Sequence, residues 1–210
     1  MSCSALYMAP QLAVSLRRQP ELARLGGEER EVSVLFADLA GFTSFSEERP
    51  ASDVVEMLNR YWAEAVPAVV DEGGLIDRFA GDAIIVAFNA VTDQPDHAMR
   101  AARAALAIRS GTDRLAAEQS SWPRFRIAVN TGPAVVGNIG ADIQRSFTLI
   151  GDTINLAARL QATAPPSGVV IGPTTRADLG DLASVVPLGT TQLKGKREPV
   201  PIYRLVSVAS

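Results

Sequence analysis

A buried apolar run that ends on an aspartate constrains this chain more than any other feature. Residues 32–37 are apolar or small, Asp38 follows them directly, and Gly41 comes shortly after. Such a run is typical of a buried strand, and the glycine favours a turn into a helix. A carboxylate at the end of a buried strand either caps the next helix or binds a ligand, and the rest of the chain must decide between these roles.

The composition restricts the kinds of site that the chain can build. Its 210 residues, 47% of them hydrophobic, predict one folded domain with a short extra segment at the N-terminus. The single cysteine, Cys3, excludes an internal disulfide and a thiolate metal cage, and the single histidine, His97, excludes a histidine-rich zinc site. Any metal site must therefore be built from carboxylates.

The charge balance and the lack of long apolar runs suggest where the chain acts. With 20 basic and 23 acidic residues the net charge is −3, which argues against a broad nucleic-acid surface. No apolar run approaches the ~18 residues that span a bilayer, and residues 1–10 lack a signal-peptide pattern. We expect a soluble, cytoplasmic segment without membrane contact of its own, although a full-length parent could be membrane-attached.

Residues 1–27 are predicted to be a connector, and residues 28–210 the main domain. Leu12 and Leu16 give a weak helical spacing, which Pro20 interrupts and Gly26-Gly27 closes. The first residues have no obvious folding role. This favours a chain that is part of a longer protein, with an upstream sensor region before the connector.

The remaining pattern predicts an α+β fold with a ferredoxin-like split βαβ core, in which helices pack on an antiparallel or mixed sheet. A capping-box pattern at residues 44–47 predicts the start of a short helix. We expect Pro67 to bend or shorten the last turn of the next helix, and Gly132-Pro133 to stop the fourth strand. The longer predicted helices cover residues 52–70, 95–115 and 154–162, and a short one covers residues 174–179. The predicted strands cover residues 32–38, 75–80, 83–88, 125–131, 146–150, 169–171, 184–186 and 202–206.

Asp38 and Asp82 form the first candidate site. Asp82 lies in a predicted Gly81-Asp82 hairpin, and Asp38 ends a strand that could lie beside it. The two carboxylates could converge on a divalent cation such as Mg²⁺. Alternatively, Asp38 only caps the next helix and Asp82 is chosen for its turn preference.

The residues after Asp38 favour the functional interpretation. Gly41, Phe42 and Thr43 stand at a predicted helix start, where backbone N–H groups can turn toward a phosphate. His97 begins another predicted helix, and we expect it to be a cap or a surface residue.

Two basic groups could bind an anion. Asn155 and Arg159 lie four residues apart on one predicted helix face and offer an amide and a guanidinium to a sugar and a phosphate. Lys194, Lys196 and Arg197 form a basic turn between the last two strands. From spacing alone, Arg159 could equally form a surface ion pair, and the basic turn could simply be solvated.

Four segments together resemble the signature motifs of the class III nucleotidyl cyclase catalytic domain. They are FADLAGFT (residues 36–43), DRFAGDA (77–83), LIGDTINLAARL (149–160) and LKGK (193–196). They occur in the family's order with similar separations, and the resemblance covers about residues 30–206. Four linked motifs make it highly specific.

The resemblance implies a ferredoxin-like core that works as a head-to-tail homodimer with active sites at the subunit interface. In this family Asp38 and Asp82, with the backbone carbonyl of Leu39, would bind two Mg²⁺ or Mn²⁺ ions. The resemblance further implies that one ion would activate the ribose 3′-hydroxyl to attack the α-phosphate, with pyrophosphate as the leaving group. The product is a cyclic nucleotide.

The resemblance also implies roles for the basic groups. The partner subunit would bring Asn155 to the ribose, Arg159 to the charge that grows on the α-phosphate, and Lys194 to the terminal phosphates. These residue types suit phosphoryl transfer, which depends on positioning and charge neutralisation.

The positions that recognise the base are Arg78 and Thr148. Similar cyclases that use ATP usually carry lysine at the position of Arg78, paired with aspartate or threonine at that of Thr148. Thr148 fits the adenine pattern, whereas the planar guanidinium of Arg78 is not a conservative replacement for lysine. The resemblance therefore implies an adenylate cyclase with weaker base discrimination or lower activity than a lysine version.

Two alternatives remain open on the sequence. The first is a catalytically weak or silent module for nucleotide binding or dimerisation, and the second is a cyclase with relaxed choice between ATP and GTP. An RNA-binding ferredoxin-like domain is disfavoured, because the strands lack paired aromatic residues and the net charge is acidic.

Overall fold

The computed structural model of the protein describes residues 10–209. The helices are α1 (Pro10–Arg18), α2 (Phe42–Glu47), α3 (Ala51–Asp71), α4 (His97–Glu118), α5 (Asp152–Gln161) and α6 (Pro173–Leu179). The strands are β1 (Gly26–Leu39), β2 (Leu75–Ala80), β3 (Ala83–Phe88), β4 (Phe125–Ala141), β5 (Gln144–Ile150), β6 (Val169–Ile171), β7 (Ala183–Thr191) and β8 (Val200–Val208). Short 3₁₀ turns cover Pro20–Ala23 and Gly180–Leu182.

The strands form one mixed sheet in the order β2-β3-β1-β4-β6-β8-β7, and β5 pairs with β4 outside this row. Strand β1 pairs antiparallel with β3 on one side and with β4 on the other. The units β1-α3-β2 and β3-α4-β4 are therefore βαβ units, and each is split by a strand of the other. The predicted α+β fold with a ferredoxin-like core is confirmed.

The two faces of the sheet bury different side chains. Leu35, Ala37 and Leu39 of β1 belong to the core under α3 and α4, whereas Val32 and Val34 pack in a second cluster with α5 residues. Because successive side chains of a strand point to opposite faces, Asp38 falls on the α5 face.

Strand β4 does not stop at Gly132-Pro133, so that prediction was wrong. It runs from Phe125 to Ala141 and pairs with β1 along the whole length of β1. Its other edge pairs with β6 only up to Val129 and with β5 only from Val135 onward. Pro133 thus lies where one edge of β4 has no neighbouring strand, a position at which its missing N–H leaves no ladder bond unmade.

The expected capping box of α2 and the expected shortening of the next helix need correction. Helix α2 begins at Phe42, before the expected capping box, and no side chain caps it; instead, Ser46 Oγ donates to the Thr43 carbonyl. Helix α3 continues beyond Pro67 to Asp71, so the proline does not shorten it.

The predicted connector is only partly described. Its described portion contains α1 and a 3₁₀ turn, and β1 begins within it at Gly26. Residues 1–9, which include Cys3, lie outside the described residues. Between residues 10 and 209, no helix has both the length and the hydropathy to cross a membrane.

His97 is buried, which corrects the expectation of a cap or surface residue. It is the first residue of α4, and its Nδ1 lies 2.8 Å from Ser33 Oγ. Ser33 Oγ also lies 2.7 Å from Thr131 Oγ1, which in turn lies 2.9 Å from Thr175 Oγ1. A chain of buried hydroxyl groups therefore links the histidine to β4 and α6.

We expect His97 to weaken the fold in mild acid. Burial lowers its pKa, although the carboxylates of Glu31, Asp178 and Asp96 oppose this shift, and Arg103 lines the same cavity. Below about pH 6.5 the unfolded chain binds a proton that the folded protein resists, so stability falls as the pH falls. In urea unfolding at about pH 7.5 and about pH 5.5, His97→Gln should lose less unfolding free energy than the unmodified protein. Equal losses would contradict this role.

Candidate functional site

Asp38 and Asp82 lie together at one end of the sheet. The register pairs Ala37 with Ile84, so the next step along β1 brings Asp38 beside Ala83, the residue that follows Asp82. Gly81 adopts φ 66° in the turn between β2 and β3, a conformation that favours glycine. Strand register and turn geometry together bring the two carboxyl groups into contact.

The electrostatics of this pair suit a cation. Burial, the charge of Asp82 and a hydrogen bond between the two carboxyl groups raise the pKa of Asp38 to about 6, while Arg126 opposes the shift. Two half-buried carboxylates repel each other, and their oxygens are the ligands that Mg²⁺ prefers. In the described part of the chain, no group of three or more His, Cys, Asp or Glu side chains could form a complete cage. A divalent cation therefore fits the pair, provided that backbone, water or ligand oxygens complete its coordination.

The sequence interpretation missed Arg126. This residue lies directly opposite Asp38 in the β1–β4 ladder, and its Nη2 is 3.6 Å from Asp38 Oδ2. Its Nε is buried and has no hydrogen-bond partner among residues 10–209. The only signal in the sequence was a lone charge inside an otherwise uncharged strand. Arg126 thus has donor capacity to spare next to the carboxylate pair.

The segment predicted to face a phosphate follows Asp38 immediately. Gly41 has φ 75° and precedes α2, so the N–H groups of Phe42 and Thr43 belong to the first turn of that helix. The Leu39 side chain is buried in the core, so this residue could offer a ligand only its backbone.

Asn155 and Arg159 occupy successive turns of α5. The helix is fixed to β4 because Asn130 Nδ2 donates to the Thr153 carbonyl and Thr153 Oγ1 donates to the Pro133 carbonyl. Asn155 is exposed. Arg159 Nη1 is buried and makes no hydrogen bond to a described residue, but it lies 4.0 Å from Asp152 Oδ1, so Arg159 also forms the long ion pair that its position on the helix allowed. Both side chains therefore keep unused hydrogen-bonding capacity.

The loop that carries Lys194 is docked on α5. Lys196 Nζ lies 2.5 Å from Asp152 Oδ2 at the start of the helix, and Leu193 is buried. Gly195 sits against Arg159, because a Cβ built on it would lie 3.5 Å from Arg159 Nη1. Lys194 itself is exposed. The contact between Asp152 and Lys196 was not foreseen from the sequence.

Arg78 and Thr148 meet through Asp77, a residue that the sequence interpretation also missed. Thr148 Oγ1 lies 2.7 Å from Asp77 Oδ1, and Arg78 Nη2 lies 3.1 Å from Asp77 Oδ2. The β2–β3 ladder shifts register between Ile76 and Arg78, which leaves Asp77 as the extra residue of a β-bulge. In a regular strand the neighbouring side chains of Asp77 and Arg78 would point to opposite faces of the sheet. The bulge allows them to contact each other.

The predicted residues thus form three groups: the carboxylate pair with Arg126, the α5 group with the Lys194 loop, and the Asp77 group with Arg78 and Thr148. No hydrogen bond or ion pair recorded between residues 10 and 209 joins the first group to the other two. The groups suit a cation, an anion and a hydrogen-bonding ring edge, respectively.

Proteins similar in sequence to this chain include one that is named an adenylate cyclase. A family model for the adenylate and guanylate cyclase catalytic domain matches residues 27–207. "Adenylate cyclase 1" of Rhizobium meliloti is 34% identical over 213 residues, which cover 97% of this chain and 32% of that protein. The uncharacterized protein Rv1320c of Mycobacterium tuberculosis is 40% identical over 148 residues, which cover 70% of this chain and 25% of that protein. The chain thus spans about a third or less of the length of these relatives.

The solved structures that resemble this chain are also cyclases. The adenylyl cyclase CyaB from P. aeruginosa matches with a TM-score of 0.81 and 30% identity, over 87% of this chain and 97% of that one. The guanylyl cyclase Cya2 matches with a TM-score of 0.80 and 34% identity, over 88% of this chain and 96% of that one. Similar structures therefore include both adenylyl and guanylyl cyclases.

Proposed function

Because this chain belongs to the adenylate and guanylate cyclase catalytic-domain family, we propose that it converts ATP to 3′,5′-cyclic AMP and pyrophosphate. The observation that carries the proposal is the position of Asp38 beside the Gly81-Asp82 turn at the end of β1, which the β1–β3 register fixes. Residues 28–210 would form the catalytic domain, and residues 1–27 a connector to an upstream sensor region.

The proposed metal ligands are Asp38, Asp82 and the backbone carbonyl of Leu39, and they would hold two Mg²⁺ or Mn²⁺ ions. When bound, such ions supply positive charge to the triphosphate and lower the pKa of the ribose 3′-hydroxyl. The raised pKa of Asp38, caused first by burial and then by the charge of Asp82, supports this role, because a bound cation would stabilise both ionised carboxylates. Arg126, with its unpartnered Nε, would offer a further donor to a phosphate oxygen.

Catalysis would require a second copy of the chain. Asn155 would orient the ribose, Arg159 would stabilise the charge that grows on the α-phosphate, and Lys194 would bind the terminal phosphates, all in the partner subunit. Two observations support an active site that is shared between two subunits. Within residues 10–209, Asn155, Arg159 and Lys194 make no hydrogen bond or ion pair with Asp38 or Asp82 of their own chain. Exposed apolar residues on β4, β5 and their turn offer surface for a symmetric partner. These residues are Ile139, Ile143 and Ile150.

Phosphate binding would also use the backbone after β1. The N–H groups of Phe42 and Thr43 stand just beyond Gly41, and they follow the carboxylate pair in the chain. With Lys194 and Arg159, they would neutralise a triphosphate from two sides. Such charge neutralisation and positioning are the main demands of phosphoryl transfer.

The choice of ATP over GTP is supported by Thr148 and by the similarity to an enzyme named adenylate cyclase. Arg78 favours the alternatives, since a guanidinium replaces the usual lysine and lies 51% exposed beside Asp77. These alternatives are a cyclase with relaxed base choice and a weak or silent nucleotide-binding module.

A product assay separates these possibilities. We expect the protein, supplied with ATP and GTP in parallel with Mn²⁺, to form more cyclic AMP than cyclic GMP. Comparable amounts of both products would favour relaxed choice. Calorimetric binding of ATP without either product would favour the silent module, and a predominance of cyclic GMP would contradict the proposed substrate.

A further inference from the structure

Asp77 is a buried carboxylate that none of the roles proposed above uses. Its side chain is only 2% exposed, although it lies on β2 beside the exposed Arg78. Burial raises its pKa, while the hydrogen bond from Thr148 and the charge of Arg78 oppose the shift. Burial of an ionised carboxylate costs free energy unless its oxygens are paired, so the two contacts of Asp77 stabilise its charged form.

The contact between Asp77 and Thr148 determines which of the two side chains donates the hydrogen bond. An ionised carboxylate only accepts hydrogen bonds, whereas a threonine hydroxyl has one proton to donate. At 2.7 Å from Asp77 Oδ1, Thr148 Oγ1 must therefore donate that proton to Asp77. The half-buried Thr148 hydroxyl then presents only lone pairs to a ligand.

The contact between Asp77 and Arg78 orients the N–H groups of the guanidinium. Arg78 uses Nη2 to contact Asp77 Oδ2 at 3.1 Å, and its guanidinium has no acceptor of its own. The rest of this side chain is about half exposed and can present N–H groups only. Asp77 thus holds a pure acceptor, Thr148, next to a pure donor, Arg78.

Such an arrangement distinguishes the two purines. Adenine presents its 6-amino group as a donor and its ring N1 as an acceptor, so it matches an acceptor beside a donor. Guanine presents O6 as an acceptor and N1–H as a donor, the reverse arrangement. A guanine ring in the same position would meet acceptor against acceptor and donor against donor.

We propose that Asp77 is a specificity-determining residue, which selects adenine over guanine by fixing the proton of Thr148 and the orientation of Arg78. This inference rests on the proposed function, because it places the purine ring at Arg78 and Thr148. Asp77 itself does not touch the nucleotide; it acts through its two neighbours.

The decisive variant is Asp77→Asn. Its amide oxygen would turn toward Arg78 and its NH₂ group toward Thr148, which would then accept a hydrogen bond and be free to donate its own proton to guanine O6. The ratio of kcat/KM for ATP to kcat/KM for GTP should fall by about tenfold or more. Inosine triphosphate shares O6 and N1–H with GTP and lacks the 2-amino group, so it should gain in the same way as GTP.

Matched variants separate this role from a structural one. Asp71→Asn, which removes an exposed carboxylate at the end of α3, should leave the ratio unchanged. Thr148→Val should lower the ratio and Thr148→Ser should preserve it, and these two variants also test the inference if Asp77→Asn does not fold.

In the Thr148→Val background, Asp77→Asn should change the ratio less than it does alone, because the two residues act as a unit. Equal losses with ATP and GTP in Asp77→Asn would overturn the proposal.

A binding measurement keeps this test independent of turnover. Displacement of a fluorescent ATP analogue by ATP, GTP and inosine triphosphate gives the same preference without any reaction. If the unmodified protein prefers adenine nucleotides in binding but forms no cyclic product, the proposed function fails and a change of preference in Asp77→Asn still supports the role of Asp77. If Asp77→Asn leaves the preference unchanged, that role is refuted whether or not the protein is a cyclase.

Discussion

Asp82→Asn should reduce the formation of cyclic AMP by about 10²–10³-fold or more, because the variant removes one of the two carboxylates proposed to hold the cations. The comparison is made with saturating ATP and Mn²⁺, and the cyclic product is quantified directly. Activity that stays within about threefold of the unmodified protein would show that the metal site is assigned wrongly.

The same variant should not weaken the metal-free fold. The pKa of Asp38 is raised to about 6, with burial as the largest cause and Asp82 next, so ionisation of Asp38 costs stability above that pH. Removal of the Asp82 charge abolishes its repulsion with the ionised Asp38 carboxylate. We therefore expect the unfolding temperature without metal, measured at about pH 8, to stay equal or to rise. A large fall would mean that the lost activity reflects damage to the fold.

The second large effect is the rescue of two inactive variants by mixing. Asp38→Ala lacks the metal-binding half of the site, and Asn155→Ala lacks the ribose-binding half contributed by the other subunit. If subunits exchange freely, half of the dimers are mixed and each mixed dimer contains one intact site, so about a quarter of the unmodified activity should return. Each variant alone should remain inactive.

A second mixture is the control for this experiment. Asp38→Ala and Asp82→Ala both damage the metal-binding half, so every site in their mixed dimer keeps a lesion and activity should not return. Formation of mixed dimers is checked by tagging one variant and recovering the other with it. Mixed dimers of Asp38→Ala and Asn155→Ala that remain inactive would contradict a site shared between subunits.

The fold was largely predictable because the local signals agree with the tertiary structure. The apolar run of β1, the Gly81-Asp82 hairpin and the helical spacing in α3 all indicate the type of their elements correctly. The error at Gly132-Pro133 has a nonlocal cause. A turn signal depends on two residues, whereas β4 continues through them because β1 pairs with it on both sides of that point. Pairing between residues distant in the sequence is not visible in a short stretch of chain.

The site was less predictable because its contacts depend on register. Asp38 and Asp82 could be identified because each lies at the end of a strand. Arg126 and Asp77 could not, since one acquires its role from the residue opposite it in a ladder and the other from a β-bulge. Lys196 likewise gains its importance from Asp152, a residue distant in the sequence.

The length of β1 has a practical consequence for protein engineering. Its 14 residues pair with β4 without a register shift, from Gly26 to Leu39. An insertion or deletion of one residue inside this strand would turn every following side chain to the opposite face and direct Asp38 into the core. A fused light-sensing or ligand-sensing domain should therefore join the chain before Gly26, where a change in linker length leaves the strand intact.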